Sequence, residues 1–309
     1  MLYFYKRIWK ATGRVQMLLV ALSLIVAALA AVPLQFQKDI INSLGPDLQM
    51  EHLLWMCAGY FAVIVVTNLF KFVLNYRSSL LGEATIRRIR TAIYDARQNT
   101  DADLPIQTES SGTVATIIAA EAEEVGRFVG QAVANPLVQV GTLVSVISFV
   151  ASTQSYLGAF LVAIVVPQAL IVFLLQEKVN RRVKARTLVL RRATGTISDE
   201  ALSSAVAAAK SVMQDFDEIY KTRRGIFKLK LSMKFAMNVL SGIGLVGILM
   251  IGGVLMMQGR SDIGTVVAAL SALDKINGPW RLLLGFYKEL SAVRVKFDLI
   301  VGESLSQRA

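Results

Sequence analysis

Residues 128–176 run for 49 positions without a single Asp, Glu, Lys, Arg or His. A stretch that long and apolar is about twice the ~20 residues a helix needs to cross a bilayer core, which makes membrane insertion the governing constraint on this chain. The polar cluster Ser152-Thr153-Gln154-Ser155 near its middle divides it into a helical hairpin. Hydrocarbon offers no partner to a bare backbone N–H or C=O, so each half must be helical. Four further runs follow the same rule. Residues 15–37 carry no charge, residues 53–76 carry only Lys71, and residues 235–259 carry none. Residues 263–287 are also apolar but hold Asp274, Lys275 and Arg281. The expected fold class is an all-α membrane protein with six transmembrane helices. Charged residues make up only 18% of the chain, against about a quarter in soluble domains.

The net charge of +11 suggests nucleic acid until its distribution is read. Of 33 Lys and Arg residues, 28 fall in the N-terminal segment, in two long loops and in the tail, all on one side of the membrane. The opposite side holds two, Lys38 and Arg260, and Lys71, Lys275 and Arg281 lie within spans. Loops rich in Lys and Arg stay cytoplasmic, so the basic excess reports topology and not a nucleic-acid partner. The sequence thus predicts an integral protein of the plasma membrane, the inner one in a bacterium, with both termini inside. No cleavable leader is expected, because the first apolar run is too long and lacks a small-residue cleavage site. Residues 1–14, where Leu2, Phe4, Ile8 and Trp9 alternate with Lys6, Arg7 and Lys10, suit a short interfacial elbow helix. A single Cys57 and a single His52 exclude an internal disulfide and a Cys/His zinc site.

The loops constrain more than the spans. The outer connections are short, about fifteen residues after the first span and then two tight turns, counted against spans of about 20 residues. The inner ones, residues 77–127 and 178–234, are long and carry helical periodicity, with Ile86, Ile89 and Ile93 followed by Val114, Ile117, Ile118, Val125 and Phe128 in the first. In the second, Val179 and Val183 are followed by Ala201, Leu202, Ala205 and Val206. Asn, Asp and Pro over residues 99–105 break the first loop. Each loop therefore reads as helix, turn, returning helix. About 27 residues at 1.5 Å each carry the turn roughly 40 Å below the bilayer.

At this point the residues resemble a family. Gly259-Arg-Ser-Asp-Ile-Gly264-Thr-Val-Val-Ala and Ile276-Asn-Gly-Pro279 are similar to the fifth-to-sixth helix junction and sixth helix of type I ABC exporters. Leu104-Pro105, Gly112-Thr-Val-Ala-Thr-Ile-Ile and Glu121 resemble that family's first intracellular loop. Ser198-Asp-Glu200-Ala-Leu and Lys210-Ser-Val resemble the second, and Ser291-Ala-Val-Arg294 resembles the segment before a nucleotide-binding domain. The likeness covers nearly the whole chain through the order and spacing of these motifs. Departures are Glu121 for the usual Asp, Ile117 for a basic residue and Ser204 for a Gly. The resemblance implies a six-helix transmembrane domain over residues 15–290, with a tail, 291–309, where a nucleotide-binding domain normally follows. It also implies two coupling helices near residues 104–115 and 200–209, using Pro105, Gly112, Glu121, Glu200, Ser204 and Lys210. The partners implied are a nucleotide-binding (ATPase) subunit carrying ATP and Mg, a second copy or homologous transmembrane half, and membrane lipid.

No catalytic residue is expected. A phosphate-cradling loop needs G-x-x-x-x-G-K-[ST], and the nearest match, residues 204–211, has Ser204 and Ala209 where both glycines belong. Leu240-Ser241-Gly242 lies inside an apolar run, where Gly242, Gly244, Gly247, Gly252 and Gly253 suit close helix packing. Charges at membrane depth usually face a bundle interior or a water-filled cavity. Asp274, Lys275, Asn277 and Arg281, with Lys71, are thus candidates for a translocation path; the plainer alternative is a structural ion pair of Asp274 with Lys71. Rival functions are a proton-coupled secondary transporter of related membrane fold, with Asp274 or Glu289 carrying the proton, and a non-transporting membrane scaffold or regulatory subunit.

Overall fold

The computed structural model describes residues 2–44, 49–98, 122–200 and 205–306. Among these residues there are eight helices and no strand: α1 (Leu2–Leu29), α2 (Val32–Ser43), α3 (Met50–Gln98), α4 (Ala122–Gln131), α5 (Ala134–Thr153), α6 (Ser155–Glu200), α7 (Ala205–Met257) and α8 (Ile263–Ser306). Five segments are long and apolar enough to cross a membrane: Thr12–Ser43, Met50–Ala92, Ala122–Thr153, Ser155–Val183 and Met213–Met257. The sixth long helix, α8, carries Asp274, Lys275 and Arg281. It nevertheless packs along α2 and α5 and buries Val266, Ala268, Ala269, Ala272, Leu273 and Ile276. The six-helix membrane plan is thus present, with the charged helix seated against two apolar ones.

Three sequence expectations change in detail. The backbone of α1 is helical without interruption from Leu2, so no break separates residues 1–14 from the first span. Gly13 costs a helix only about 1 kcal/mol relative to Ala, too little to end it alone. The break comes later, at Ala30-Ala31, and Pro33 explains it. A proline ring clashes with the carbonyl four residues back, here Leu29, the last residue of α1. Pro33 then occupies the first turn of α2, where its missing N–H is no loss. Finally, α2 runs on to Ser43, so the first outer connection is largely helical.

The chain divides into two compact units, Met1–Gly158 with Gly252–Ala309, and Ala159–Ile251. In the first, α3 and α4 approach most closely. Gly126 and Gly130 are spaced as G-x-x-x-G on α4 and meet Ser78 and Gly82 on α3. A Cβ added at Gly130 would strike the Ser78 carbonyl, and one at Gly126 would lie 2.8 Å from the Ile86 nitrogen. The Ser78 hydroxyl donates to the Gly130 carbonyl at 2.8 Å. Small residues let two backbones touch, which is how helices associate where lipid is as apolar as leucine. One apolar cluster joins Leu19, Leu22 and Val26 of α1 to Leu74 and Leu81 of α3 and Ala134 of α5. A second joins Val125, Phe128, Val129 and Ala132 to Leu290 and Val293 of α8, with the Phe128 and Phe286 rings stacked at 5.3 Å.

In the second unit the buried Gln168 amide donates to the Ser241 hydroxyl at 3.4 Å, and Gly247 leaves room for the Phe160 ring. The glycines expected to serve packing therefore divide. Gly247 and, in the first unit, Gly252 beside Val266 do so, whereas Gly242 and Gly253 have nothing within 4 Å of an added Cβ.

Replacing Gly130 with Val is expected to cost about 1–3 kcal/mol, the range for overpacking a tight contact. Gly242→Ala, in open space, is expected to leave stability unchanged or raise it by up to about 1 kcal/mol through helix propensity. Thermal unfolding of both variants in detergent checks the contrast.

Candidate functional site

The break in the first span leaves carbonyls at the C-terminal end of α1 without helical partners. One of them, Ala30 O, accepts a hydrogen bond from Lys275 Nζ of α8 at 3.3 Å. A cation belongs there, since the C-terminal end of a helix carries the negative pole of its dipole. Lys275 is half-buried. Lys71 of α3 comes close enough for its charge to act on Lys275 as a like charge. Discontinuous membrane helices of this kind are tolerated where they line protein or a water-filled cavity.

The expected alternative, an ion pair between Asp274 and Lys71, is not formed: among the described residues no such pair is present. The reason is rotational. One residue along a helix turns the side chain by about 100°, so Asp274 is exposed while Lys275 faces inward. Asn277, two residues further, is part-buried and engaged. Arg281 stands on the same helix, one turn past Asn277. The structure thus seats Lys275 against the broken first span, within reach of the Lys71 charge, while Asp274 stays exposed.

The start of α8 is fixed by a polar node within the Gly259–Gly264 junction motif, completed by Asn42, which the sequence did not single out. Gly259 takes a left-handed φ of +66° at the end of α7. The N–H of Arg260 returns to Leu255 O and that of Gly259 to Met256 O, the pattern that closes helix C-termini. Asp262 Oδ1 then accepts from the Thr265 N–H at 2.6 Å, capping α8. Asn42 of α2 donates to Asp262 at 2.7 Å and accepts from the Gly264 N–H at 2.7 Å. Gly264 has no room for a Cβ against Asn42 and the Lys38 carbonyl. The G-R-S-D-I-G motif is therefore a stop, a cap and a close approach, in that order. Burial would raise the Asp262 carboxyl, but the Asn42 amide, the Thr265 N–H and hydroxyl, and Lys38 outweigh it and hold it below its ordinary value. At the same end, Gln154 links α5 to α6 as a single extended residue, and its amide donates to Arg260 O at 2.8 Å.

The candidate coupling residues Pro105, Gly112, Glu121 and Ser204 lie outside the described residues. Glu200 ends α6 and Lys210 stands in the second turn of α7, so these two flank the second candidate segment. The helices leading to both segments extend well past their apolar parts: α3 continues to Gln98, twenty-one residues beyond Arg77.

The family model described as ABC transporter transmembrane region matches residues 17–204. No curated protein matches the chain.

Lys275→Met is expected to leave Ala30 O without its partner and to destabilise the protein by about 1–3 kcal/mol, the cost of a buried unsatisfied group; unfolding in detergent reads it. Because the folded-state value of Asp262 is depressed, its contribution is present above the ordinary carboxylate range and fades as pH falls through the folded value. The melting temperature of Asp262→Asn should thus fall less than that of the wild type on acidification through that range.

Proposed function

This chain belongs to the ABC transporter transmembrane-region family, and we propose that it is the membrane-spanning subunit of an ATP-driven exporter that docks a separate ATPase. The family match over residues 17–204 together with α3, α6 and α7, each far longer than a bilayer requires, is the observation that carries this reading. Helices of 49, 46 and 53 residues each continue well past their apolar parts, and a motor needs such a surface to grip. The segments near residues 104–115 and 200–209 serve as coupling helices. Pro105, Gly112 and Glu121 shape the first, and Glu200, Ser204 and Lys210 the second. ATP and Mg bind the partner, whose closure swings these segments and switches the membrane path between its two accesses. A ligand follows that switch only by binding one access state better than the other.

The path runs beside α8. Lys275 holds the broken first span, Lys71 adds a second cation, and Asn277 and Arg281 continue the line toward the end of the membrane segment. Asp274 is exposed and available to a second subunit or to solvent. A second copy or a homologous half completes the pore. The most apolar window of α3 is only 6% buried, with Trp55, Phe61, Leu69 and Phe72 exposed, a surface suited to lipid and to a partner's helices. Both termini lie on the cytoplasmic side of the plasma membrane.

The test is reconstitution with the ATPase subunit that co-purifies from native membranes. Gly112→Trp and Glu200→Trp are expected to lower transport per ATP hydrolysed at least ~10-fold, the scale of losing one packed contact in a bistable interface, with folding intact. Transport unchanged in both variants would defeat the docking assignment. Transport without ATP that collapses with a protonophore would instead establish the proton-coupled reading, with Asp274→Asn inactive.

A further inference from the structure

At the end of the first unit where the apolar part of α1 begins, α1 and α3 enclose a groove of about 610 Å³. Its lining is divided by chemistry. Arg14 of α1 and Arg77 of α3 bring two guanidinium groups, Arg88 of α3 lines it while engaged with another group, and among the described residues no acidic side chain lines it. Met17 and Leu80, both exposed large apolar residues, form its other wall. Trp9 closes the end away from the span, its indole lying over Gly13 one turn on.

The depth of the groove is fixed by its own residues. The candidate span of α1 begins at Thr12, and the apolar run of α3 ends at Arg77, so the groove straddles the line where hydrocarbon gives way to headgroups. Indole rings settle at that level, and clustered basic side chains between membrane helices take up acidic headgroups. Arginine suits a phosphate better than lysine, because its planar fork pairs two N–H groups with two oxygens.

We propose that this groove is a binding site for one anionic phospholipid, with the phosphodiester on Arg14 and Arg77, its polar head substituent toward Trp9 and an acyl chain leaving along Met17. Two arginines against a single phosphate, with no acidic side chain among the described lining residues, favour a headgroup without a compensating ammonium. The ligand chemistry is shared with free inorganic phosphate, but the apolar wall and the position at the membrane boundary commit the site to the lipid. This inference does not depend on the transport reading.

The experiment uses the full chain in detergent micelles, supplemented separately with phosphatidylglycerol, phosphatidylcholine or inorganic phosphate, and counts retained ligand by native mass spectrometry. One tightly held phosphatidylglycerol is expected. Arg14→Gln/Arg77→Gln should lower its retention on the order of thirtyfold, as follows from roughly 1 kcal/mol per basic residue near an acidic surface. The charge-matched pair Arg223→Gln/Arg224→Gln, exposed on α7, should not. Equal retention of phosphatidylcholine would overturn the proposal. So would binding of inorganic phosphate without lipid preference, which would make the groove a site for the free ion. A measurement on the folded wild type covers failure of the arginine variant to fold. Of the three tryptophans, Trp9 should be quenched more by brominated phosphatidylglycerol than by brominated phosphatidylcholine, and Trp9→Phe should remove that difference. Quenching that is the same for both lipids, or a difference that survives Trp9→Phe, would refute the site.

Discussion

Every backbone N–H and C=O inside a bilayer must find its partner within the protein, and this requirement organises the first unit of the structure. Continuous helix meets it automatically. Among the described residues of this unit, side chains distant in sequence close two of the places where the chain leaves helix, the break at Ala30-Ala31 and the junction of α7 with α8. Lys275 reaches the Ala30 carbonyl at the break before Pro33. Gln154 satisfies the Arg260 carbonyl between α7 and α8. Asn42 and Asp262 hold the first N–H groups of α8. Each closure also fixes one helix against another. The polar groups that repair the backbone therefore set the register of α8 against α1, α2 and α5.

Steric economy fixes the rest. Ser78, Gly82, Gly126 and Gly130 bring α3 and α4 into backbone contact, and from that seam the Val125–Phe128–Val129 face of α4 is presented to Leu290 and Val293 of α8. Gln16 joins the same region by donating to the Val129 carbonyl at 3.3 Å. Thus α8 is pinned at its start by hydrogen bonds and further along by aromatic and aliphatic packing. The stretch between, residues 274–281, carries the charges. Firm seating at both ends is what allows a helix with Asp274, Lys275 and Arg281 to stand among apolar neighbours.

Much of this was written plainly in the sequence. The uncharged 49-residue run gave two helices, and the polar cluster at residues 152–155 marked the break between them to within a residue. The Gly259–Gly264 motif named its own junction. What escaped was whatever depends on helix rotation or on two helices at once. Hydropathy is unchanged when a helix spins, so pairing Asp274 with Lys71 was as natural as the observed approach of Lys71 to Lys275. The break at Ala30 was signalled by Pro33, yet its partner lies 245 residues away, a distance no local pattern bridges. The G-x-x-x-G of α4 was legible as a spacing, but only the facing Ser78 and Gly82 turn it into a contact.

The seam between α3 and α4 has a mechanical consequence. As one unbroken helix of 49 residues, α3 is a rod about 74 Å long. Gly82, where α4 grips it, lies about 48 Å from the Met50 end and about 24 Å from the Gln98 end at 1.5 Å per residue. A rocking of the rod about that fulcrum has unequal arms. A given displacement at Gln98 appears at Met50 reversed in direction and about doubled, since arm lengths scale with the residue rise. The position of one glycine thereby sets the gearing between the two ends of the helix.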